Sequence, residues 1–247
     1  MKPDTARVSP RFFVPLELVS GAEFELPEPA ARHCTVLRLR PGDAVTLFTG
    51  KGGEYPSELT RMSRNRVHAR VVSQRADERE SPLSITLAQC VSSGDRMDLT
   101  LQKSTELGVT RIVPIESERS VVRLSSERAD RRVAHWRNVT AAACEQCGRN
   151  RLPDVAAITD LDSFLAGAGD EGMCLLLAPG AAGNLRRLSP PKAVTLLVGP
   201  EGGLAPDERQ RAETRGFLPV RFGPRTLRTE TAPIAVIAAM QALWGDC

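Results

Sequence analysis

Aromatic side chains are scarce in this chain of 247 residues: Phe, Trp and Tyr together make up 4% of it. A broad base-stacking platform of the single-strand-binding type needs several displayed rings, so that class of surface is not expected. No run of about 18 consecutive apolar residues occurs, which excludes a membrane-spanning helix. The opening residues, Met1-Lys2-Pro3-Asp4, lack the apolar core of a secretory signal, and a cytoplasmic location is the expectation. The six cysteines (34, 90, 144, 147, 174 and 247) are scattered, as suits reduced thiols. Cys144 and Cys147 have CxxC spacing, but in an Ala-rich helical stretch with neither a second Cys pair nor a His cluster, so no metal site is expected. Nor is there a GxGxxG loop: the first turn of the α/β half reads Ser92-Ser93-Gly94-Asp95. That disfavours a dinucleotide-dependent oxidoreductase. Net charge is only +3 and by itself points to no partner.

What is present divides in two. Apolar residues make up 41% and charged ones 26%, enough to bury a real core. Val45–Phe48, Tyr55–Leu59 and Arg66–Val72 read as short strands of a small β-rich unit, with Gly50, Gly52 and Gly53 in a turn between two of them. Pro29–Leu39 reads as a helix, and the charged stretch Gln74–Pro82 as a linker. From Ser84 the character changes. Ser84–Val91, Arg111–Ile115, Met173–Ala178, Ala193–Val198 and Phe217–Phe222 read as strands. Asp95–Leu107, Glu127–Cys147, a segment starting at Pro206 and Pro233–Trp244 read as helices, with Gly108 and Gly216 as stops. The near-continuous apolar runs Cys174–Leu177 and Val194–Val198 suit strands covered on both faces, hence a parallel sheet. The last helix is apolar almost all round and reads as a core helix.

Two segments stand apart. Leu196–Gly203 and Phe222–Ala232 each run from a strand into a Gly/Pro turn and on toward a helix. Three of the five residues from Gly199 to Gly203 are glycine, so backbone there can approach a ligand without Cβ interference. On that argument Val at Gly202 should block binding. Two such turns point to loops at one edge of a parallel sheet, where open α/β sheets bind ligands. Charge adds a second signal. From Arg111 to Arg151 there are nine Arg against five Asp/Glu, which reads either as a solvated helix face or as a footprint for a phosphate backbone.

Gly199-Pro200-Glu201-Gly202-Gly203 followed by Leu227-Arg228-Thr229-Glu230-Thr231-Ala232 resembles the ribosomal RNA uracil-N3 methyltransferases of the RsmE family, in the SPOUT class. Arg11–Val14, His33–Asp43, Gln102–Val109 and Glu145–Arg149 extend the resemblance over nearly the whole chain. It implies an N-terminal PUA-like β-barrel, residues 1–74, and a C-terminal SPOUT α/β domain, residues 81–247, with a trefoil knot. It implies S-adenosylmethionine held by three loops: Leu177-Ala178-Pro179, Gly199-Pro200-Glu201-Gly202, and Phe222-Gly223 with Leu227. The substrate it implies is 16S ribosomal RNA or the small subunit, and the assembly a homodimer.

Methylation at uracil N3 requires loss of the N3 proton, so the site needs an anion stabiliser or a base. Arg225 and Arg228 are the candidates for the first. Glu230 either orients Arg228, acts as base, or simply heads the final helix, where Thr229 and Thr231 are cap candidates; Glu201 is an alternative orienting carboxylate. Arg11, Lys103, Arg119, Arg149 and Arg151 are the candidate RNA contacts. Ser93 departs from the family, which often has a basic residue there. Two rival readings stay open: a SPOUT methyltransferase acting on another RNA, and a non-catalytic ribosome assembly factor.

Overall fold

The computed structural model describes residues 9–63, 66–120, 126–168 and 172–247. Met1–Asp4, and Arg123 of the basic stretch, lie outside the described residues. The chain divides into two compact units. One comprises the residues up to Glu80 with Cys144–Leu152, the other Ser81–Ala143 with Pro153–Cys247.

The first unit is built on five strands: β1 (Arg11–Phe13), β2 (Glu23–Glu25), β3 (Ala44–Phe48), β4 (Tyr55–Met62) and β5 (Val67–Val71). They form one sheet in the order β1-β3-β4-β5-β2, antiparallel except for the β1–β3 pair. Alternation along β4 turns Tyr55, Ser57 and Leu59 inward. Helix α1 (Glu28–Val36) starts with Pro29 in its first turn, where the missing N–H costs nothing. It ends before the expected Leu39 because Arg38 turns left-handed at φ +56° and Arg40-Pro41 follows. Phe12, Val14, Cys34, Val45, Leu47, Leu59 and Ala69 form the core.

Two arginines expected as RNA contacts are internal to this unit. The Arg11 guanidinium donates to Glu54 Oε2 at 2.7 Å and to Asn150 Oδ1, and lies 5.2 Å from the Phe48 ring centre. Arg149 is 3% exposed and grips Glu80 with Nε at 3.1 Å and Nη2 at 2.5 Å. Expected as RNA contacts, both instead have their guanidinium groups taken up in largely buried ion pairs. The partners lie 43 and 69 positions away in sequence, which is why local charge did not reveal them. The same contacts revise two boundaries. Cys144–Leu152, expected in the second domain, packs with the first unit, and the expected linker is tied down through Arg75–Glu54 pairing and an Asn150 side-chain bond to the Asp77 carbonyl at 2.6 Å.

The second unit holds a parallel sheet of β6 (Ser84–Cys90), β7 (Arg111–Glu116), β8 (Asp154–Val155), β9 (Thr159–Asp160), β10 (Met173–Leu177), β11 (Ala193–Val198) and β12 (Leu218–Val220). The order is β12-β10-β11-β6-β7-β8, with β9 also on β7. Side chains alternate between two cores. Ile85, Leu87, Leu175, Val194 and Leu196 face one cluster, joined by Trp136 of α3 (Ser126–Cys147) and Met97 and Leu101 of α2 (Gly94–Glu106). Ala88, Cys90, Leu176 and Leu197 face the other, with Leu161 and Leu165 of α4 (Leu161–Gly167) and Ala212 of α5 (Pro206–Thr214). The final helix, α6 (Thr231–Trp244), buries Val236, Ile237 and Met240 in the first cluster. Its Gln241 is satisfied inside, donating to the Leu107 carbonyl and accepting from Ser81 Oγ, both at 2.7 Å. Gly108, at φ +84°, is needed there: a Cβ would stand 2.7 Å from Gln241 Nε2. Burial pushes the Cys34 thiol up to about 11 and the Cys90 thiol up to about 12, so these thiols stay protonated and unreactive. Among the described residues no helix is long and apolar enough to cross a membrane.

Candidate active site

The strand order sets the site. β10 lies between β12 and β11, so the loops that leave the carboxyl ends of all three stand side by side. The two glycine turns are therefore not on adjacent strands; the Leu177–Pro179 loop runs between them. Together they enclose a cavity of about 470 Å³. Its apolar wall is Leu176, Leu177, Val198, Leu204, Phe222 and Leu227.

Local chemistry fixes each loop. The Ala178 amide donates to the Val220 carbonyl at 2.9 Å, continuing the β10–β12 ladder past the strand. In the second loop Gly203 turns left-handed at φ +68° and its amide closes a tight turn on the Pro200 carbonyl at 2.9 Å. Gly199 has no spare room, since a Cβ there would stand 3.0 Å from the Leu204 amide nitrogen. The Gly199 carbonyl accepts from Thr229 Oγ1 at 3.2 Å, so the second and third loops are stitched together. Thr229 thus does not cap α6, and the residue that precedes that helix, Glu230, makes no side-chain cap bond. Behind the second loop, the buried Glu208 carboxylate accepts from the amides of Ala205 and Glu118, each at 2.8 Å. Arg119 reaches the same loop and donates to the Gly202 carbonyl at 3.1 Å.

Charge is unevenly distributed. Five arginines line the cavity (96, 209, 221, 225 and 228) against one carboxylate, Glu201. Arg96 sits between Glu201 at 3.1 Å and Glu230 at 3.9 Å, and Arg209 pairs with Glu213 at 2.7 Å. Arg221, Arg225 and Arg228 are exposed, with no carboxylate within ion-pair distance among the described residues.

Of the ten residues expected to hold a cofactor, nine line the cavity: Leu177, Ala178, Pro179, Gly199, Pro200, Glu201, Phe222, Gly223 and Leu227. Gly202 does not, and Gly203 takes its place. A Cβ on Gly202 would meet only the Arg119 side chain, at an ordinary 3.6 Å. Arg225 and Arg228 line the cavity as well; Glu230 is just off it, with Oε2 buried and making no hydrogen bond. Lys103 pairs with Glu106 at 2.8 Å, and Arg151 of the first unit pairs with Glu78 at 3.3 Å. Sequence reasoning missed Arg96, Arg209 and Arg221. Arg96 had a readable signal: it opens the helix after β6, and β6 neighbours β11, whose loop is GPEGG. No three His, Cys, Asp or Glu side chains are grouped to hold a metal among the described residues.

The ligand cavity on glycine loops at the carboxyl edge of a parallel sheet, preceded by a small β unit, belongs to a chain whose two parts match an RNA methyltransferase domain and its PUA domain. Residues 79–241 match the family model for the RNA methyltransferase domain and residues 26–72 that for the RNA methyltransferase PUA domain. The chain belongs to the ribosomal RNA small subunit methyltransferase E family. It is 32% identical to the member from Buchnera aphidicola subsp. Schizaphis graminum over 213 residues, 85% of this chain and 86% of that protein. It is 29% identical to the Bacillus subtilis member over 243 residues, 93% and 95% of the two chains. Among solved structures it is similar to the Neisseria gonorrhoeae member bound to S-adenosyl methionine, with TM-score 0.91, 46% identity and coverage of 96% and 99%. It is also similar to a Legionella pneumophila protein in complex with the cofactor SAM, with TM-score 0.94, 39% identity and coverage of 97% and 99%.

Proposed function

We propose that this chain transfers a methyl group from S-adenosylmethionine to N3 of a uridine in 16S ribosomal RNA. The observation that carries the reading is the cavity of three loops. Its volume of about 470 Å³ lies in the ordinary range of small-molecule sites, roughly 300–1,000 Å³. The chemistry of its walls fits the cofactor. Leu177, Val198, Leu204 and Leu227 offer apolar contact, while backbone groups of Ala178, Pro179, Gly199, Phe222 and Gly223 offer edges for polar recognition. Bound there, S-adenosylmethionine supplies an electrophilic methyl group.

The chain's own residues do the rest. Arg225 and Arg228, unpaired on the rim, stabilise negative charge that develops on the uracil as N3 loses its proton. Glu230 is the candidate base: its Oε2 has no hydrogen bond, and Arg96 lies 3.9 Å away. Glu201 is held by Arg96 and by the Ser93 amide at 3.4 Å, which keeps the GPEGG loop in register with α2. The trefoil knot, a cytoplasmic location and a homodimer belong to the same reading. α6 leaves an apolar flank for a second copy, with Ile234, Ala235 and Ala238 half-buried and Leu243 exposed. Light scattering should then give twice the 26.8 kDa chain mass.

The test is methyl transfer from labelled S-adenosylmethionine to small-subunit RNA and to assembled subunits, with mass analysis of the nucleosides. The reading requires 3-methyluridine. A methyl group on any other base or atom would defeat the N3 assignment, and absence of transfer to either substrate would defeat the reading as a whole.

A further inference from the structure

Positive charge is concentrated on two stretches of the second unit. From Met173 to Pro200 and from Gly216 to Thr229 there is no Asp or Glu, while Arg186, Arg187, Lys192, Arg221, Arg225 and Arg228 fall there. The two stretches therefore carry +6 in a chain whose net charge is +3, and the remainder is net acidic. All six cations are exposed, and none has a carboxylate within ion-pair distance among the described residues. The basic start of α3 is built differently. Arg128, Arg131 and Arg132 are interspersed there with Glu127 and Asp130, and Arg131 pairs with Glu127 at 3.2 Å. Like charges gathered without counter-charge repel one another, so such a cluster marks a surface that an anionic partner neutralises.

The fold brings the two stretches together. β12 is an edge strand, and the chain that leaves β10 crosses to its far side. There Gly183 forms a parallel bridge with Val220, and the Gly183 carbonyl accepts from the Arg221 amide at 3.1 Å. Glycine is required at that approach, because a Cβ on residue 183 would collide with the Pro219 carbonyl oxygen. The residues that follow are fixed as well. The Asn184 side chain accepts from the Arg186 amide at 3.0 Å, Leu185 is buried in the core, and Leu185–Arg187 forms a single 3-10 turn. Three residues span at most about 11 Å, so the backbone of Arg186 stands within that distance of the bridge to β12. Arg221, Arg225 and Arg228 line the cavity, whereas Arg186 and Arg187 do not. The positive surface thus starts at the cavity mouth and continues off it, on the side of β12 opposite β10.

We infer that Arg186 and Arg187, on the loop between β10 and β11, form a phosphate-binding track that holds the substrate RNA strand where it passes beyond the cavity. The inference rests on the methyltransferase reading above and adds a path for the strand outside the site. S-adenosylmethionine does not account for these charges: it carries one carboxylate against a sulfonium and an ammonium, and the two arginines lie off its cavity. A polynucleotide backbone does, because it offers successive phosphates to successive guanidinium groups. From Gly183 to Lys192 the loop has no aromatic residue on which a base could stack. The track therefore positions the strand and leaves the choice of base to the cavity.

The experiment compares wild type with three double variants: Arg186→Gln/Arg187→Gln, the charge-keeping Arg186→Lys/Arg187→Lys, and Arg128→Gln/Arg132→Gln on α3, which removes the same charge elsewhere. Anisotropy of a labelled small-subunit RNA transcript gives RNA affinity across a salt series, and calorimetry gives S-adenosylmethionine affinity. In the Gln pair at 186 and 187 the steepness of log affinity against log salt should fall by roughly 1.4–1.8, the share of two phosphates. Binding is then roughly 25- to 60-fold weaker than wild type at about 0.1 M salt and converges with it near roughly 1 M. The Lys pair and the α3 pair should keep the wild-type slope. Cofactor affinity and thermal melts should stay at the wild-type value throughout, since none of these side chains is buried or lines the cavity. An unchanged slope in the Gln pair overturns the inference. So does an equal fall in the α3 pair, which would assign the effect to net charge, or in the Lys pair, which would assign it to something other than charge. A tenfold loss of cofactor affinity in the Gln pair overturns it too, because the loop would then belong to the cofactor site. Wild type that shows this RNA pattern yet transfers no methyl group would overturn the catalytic reading while upholding the track.

Discussion

Adding one methyl group at Gly199 should damage the cofactor site, and the same group at Gly202 should not. At Gly199 the new Cβ would stand 3.0 Å from the Leu204 amide nitrogen and 3.3 and 3.4 Å from the Gly203 carbonyl carbon and Cα. All three are backbone atoms of the turn that closes the second loop, so the turn must open by a few tenths of an ångström. Gly199 is not in the left-handed region, so the cost is one of space. Overpacking of this kind costs about 1–3 kcal/mol, or roughly 2–4 °C of Tm per kcal/mol at this chain length. If that cost falls on the bound form of the loop, affinity for S-adenosylmethionine drops roughly 5- to 150-fold. At Gly202 the methyl meets only the Arg119 side chain at 3.6 Å, and affinity should stay within about twofold. Gly203→Ala is intermediate: space is open, but φ +68° costs about 1–2 kcal/mol for a residue with a Cβ. Calorimetric titration and thermal melts of the three alanine variants give both numbers. Gly199→Ala with wild-type affinity, or Gly202→Ala weaker than Gly199→Ala, would refute the assignment of Gly199 as the tight point of the loop.

Arg228→Lys should keep cofactor and RNA affinity yet slow single-turnover methyl transfer about 10²–10³-fold, as for a lost charge-stabilising donor. Raising the pH should partly rescue it, because more uracil N3 is then already deprotonated; loss of cofactor affinity without rescue would make Arg228 a structural clamp. Arg149→Ala should lose stability in denaturant melts, on the order of 1–3 kcal/mol, because the half-buried Glu80 carboxylate loses its two charge-assisted hydrogen bonds, while the salt slope of RNA binding stays at the wild-type value. Acid should destabilise the first unit through Glu54. Burial opposes its ionisation, but hydrogen bonds and charge from Arg11 and then Arg79 hold the carboxyl below its ordinary 4.5. A native pKa below the unfolded one gives stability that is present above 4.5 and lost as pH falls through the lower native value. Melts carried from neutral pH down through 4.5 and below should show this dependence in wild type and a weaker one in Arg11→Met; equal dependence in both would remove Arg11 as the cause.

How far the sequence revealed the molecule depended on the range of the interaction concerned. The runs Cys174–Leu177 and Val194–Val198 announced buried parallel strands because burial on both faces leaves a local mark. Gly108 and Gly216 announced helix ends because a left-handed residue does too. The short elements went unseen. Thr159–Asp160 and Leu161–Gly167 have too few residues for a period, although Asp160 does cap α4 by accepting from the Ser163 amide at 2.8 Å. Thr229 looked like a helix cap and instead holds Gly199, 30 residues back. Arg11 and Arg149 looked like surface charge because their carboxylates are distant in sequence, and an ion pair of that kind has no local signature.

The site shows the same division between local and non-local information. GPEGG and the turn at Gly223 were readable as loops that admit backbone to a ligand, but their separation was not. In chain order β10, β11 and β12 follow one another; in the sheet β10 lies between the other two. With strands about 4.8 Å apart, the two glycine loops stand roughly 9.5 Å from each other at their roots, with the Leu177–Pro179 loop as the floor between them. Loops on adjacent strands would have roots only about half as far apart. The crossover order therefore brings three loops that are separate in the chain, those after β10, β11 and β12, to line one cavity.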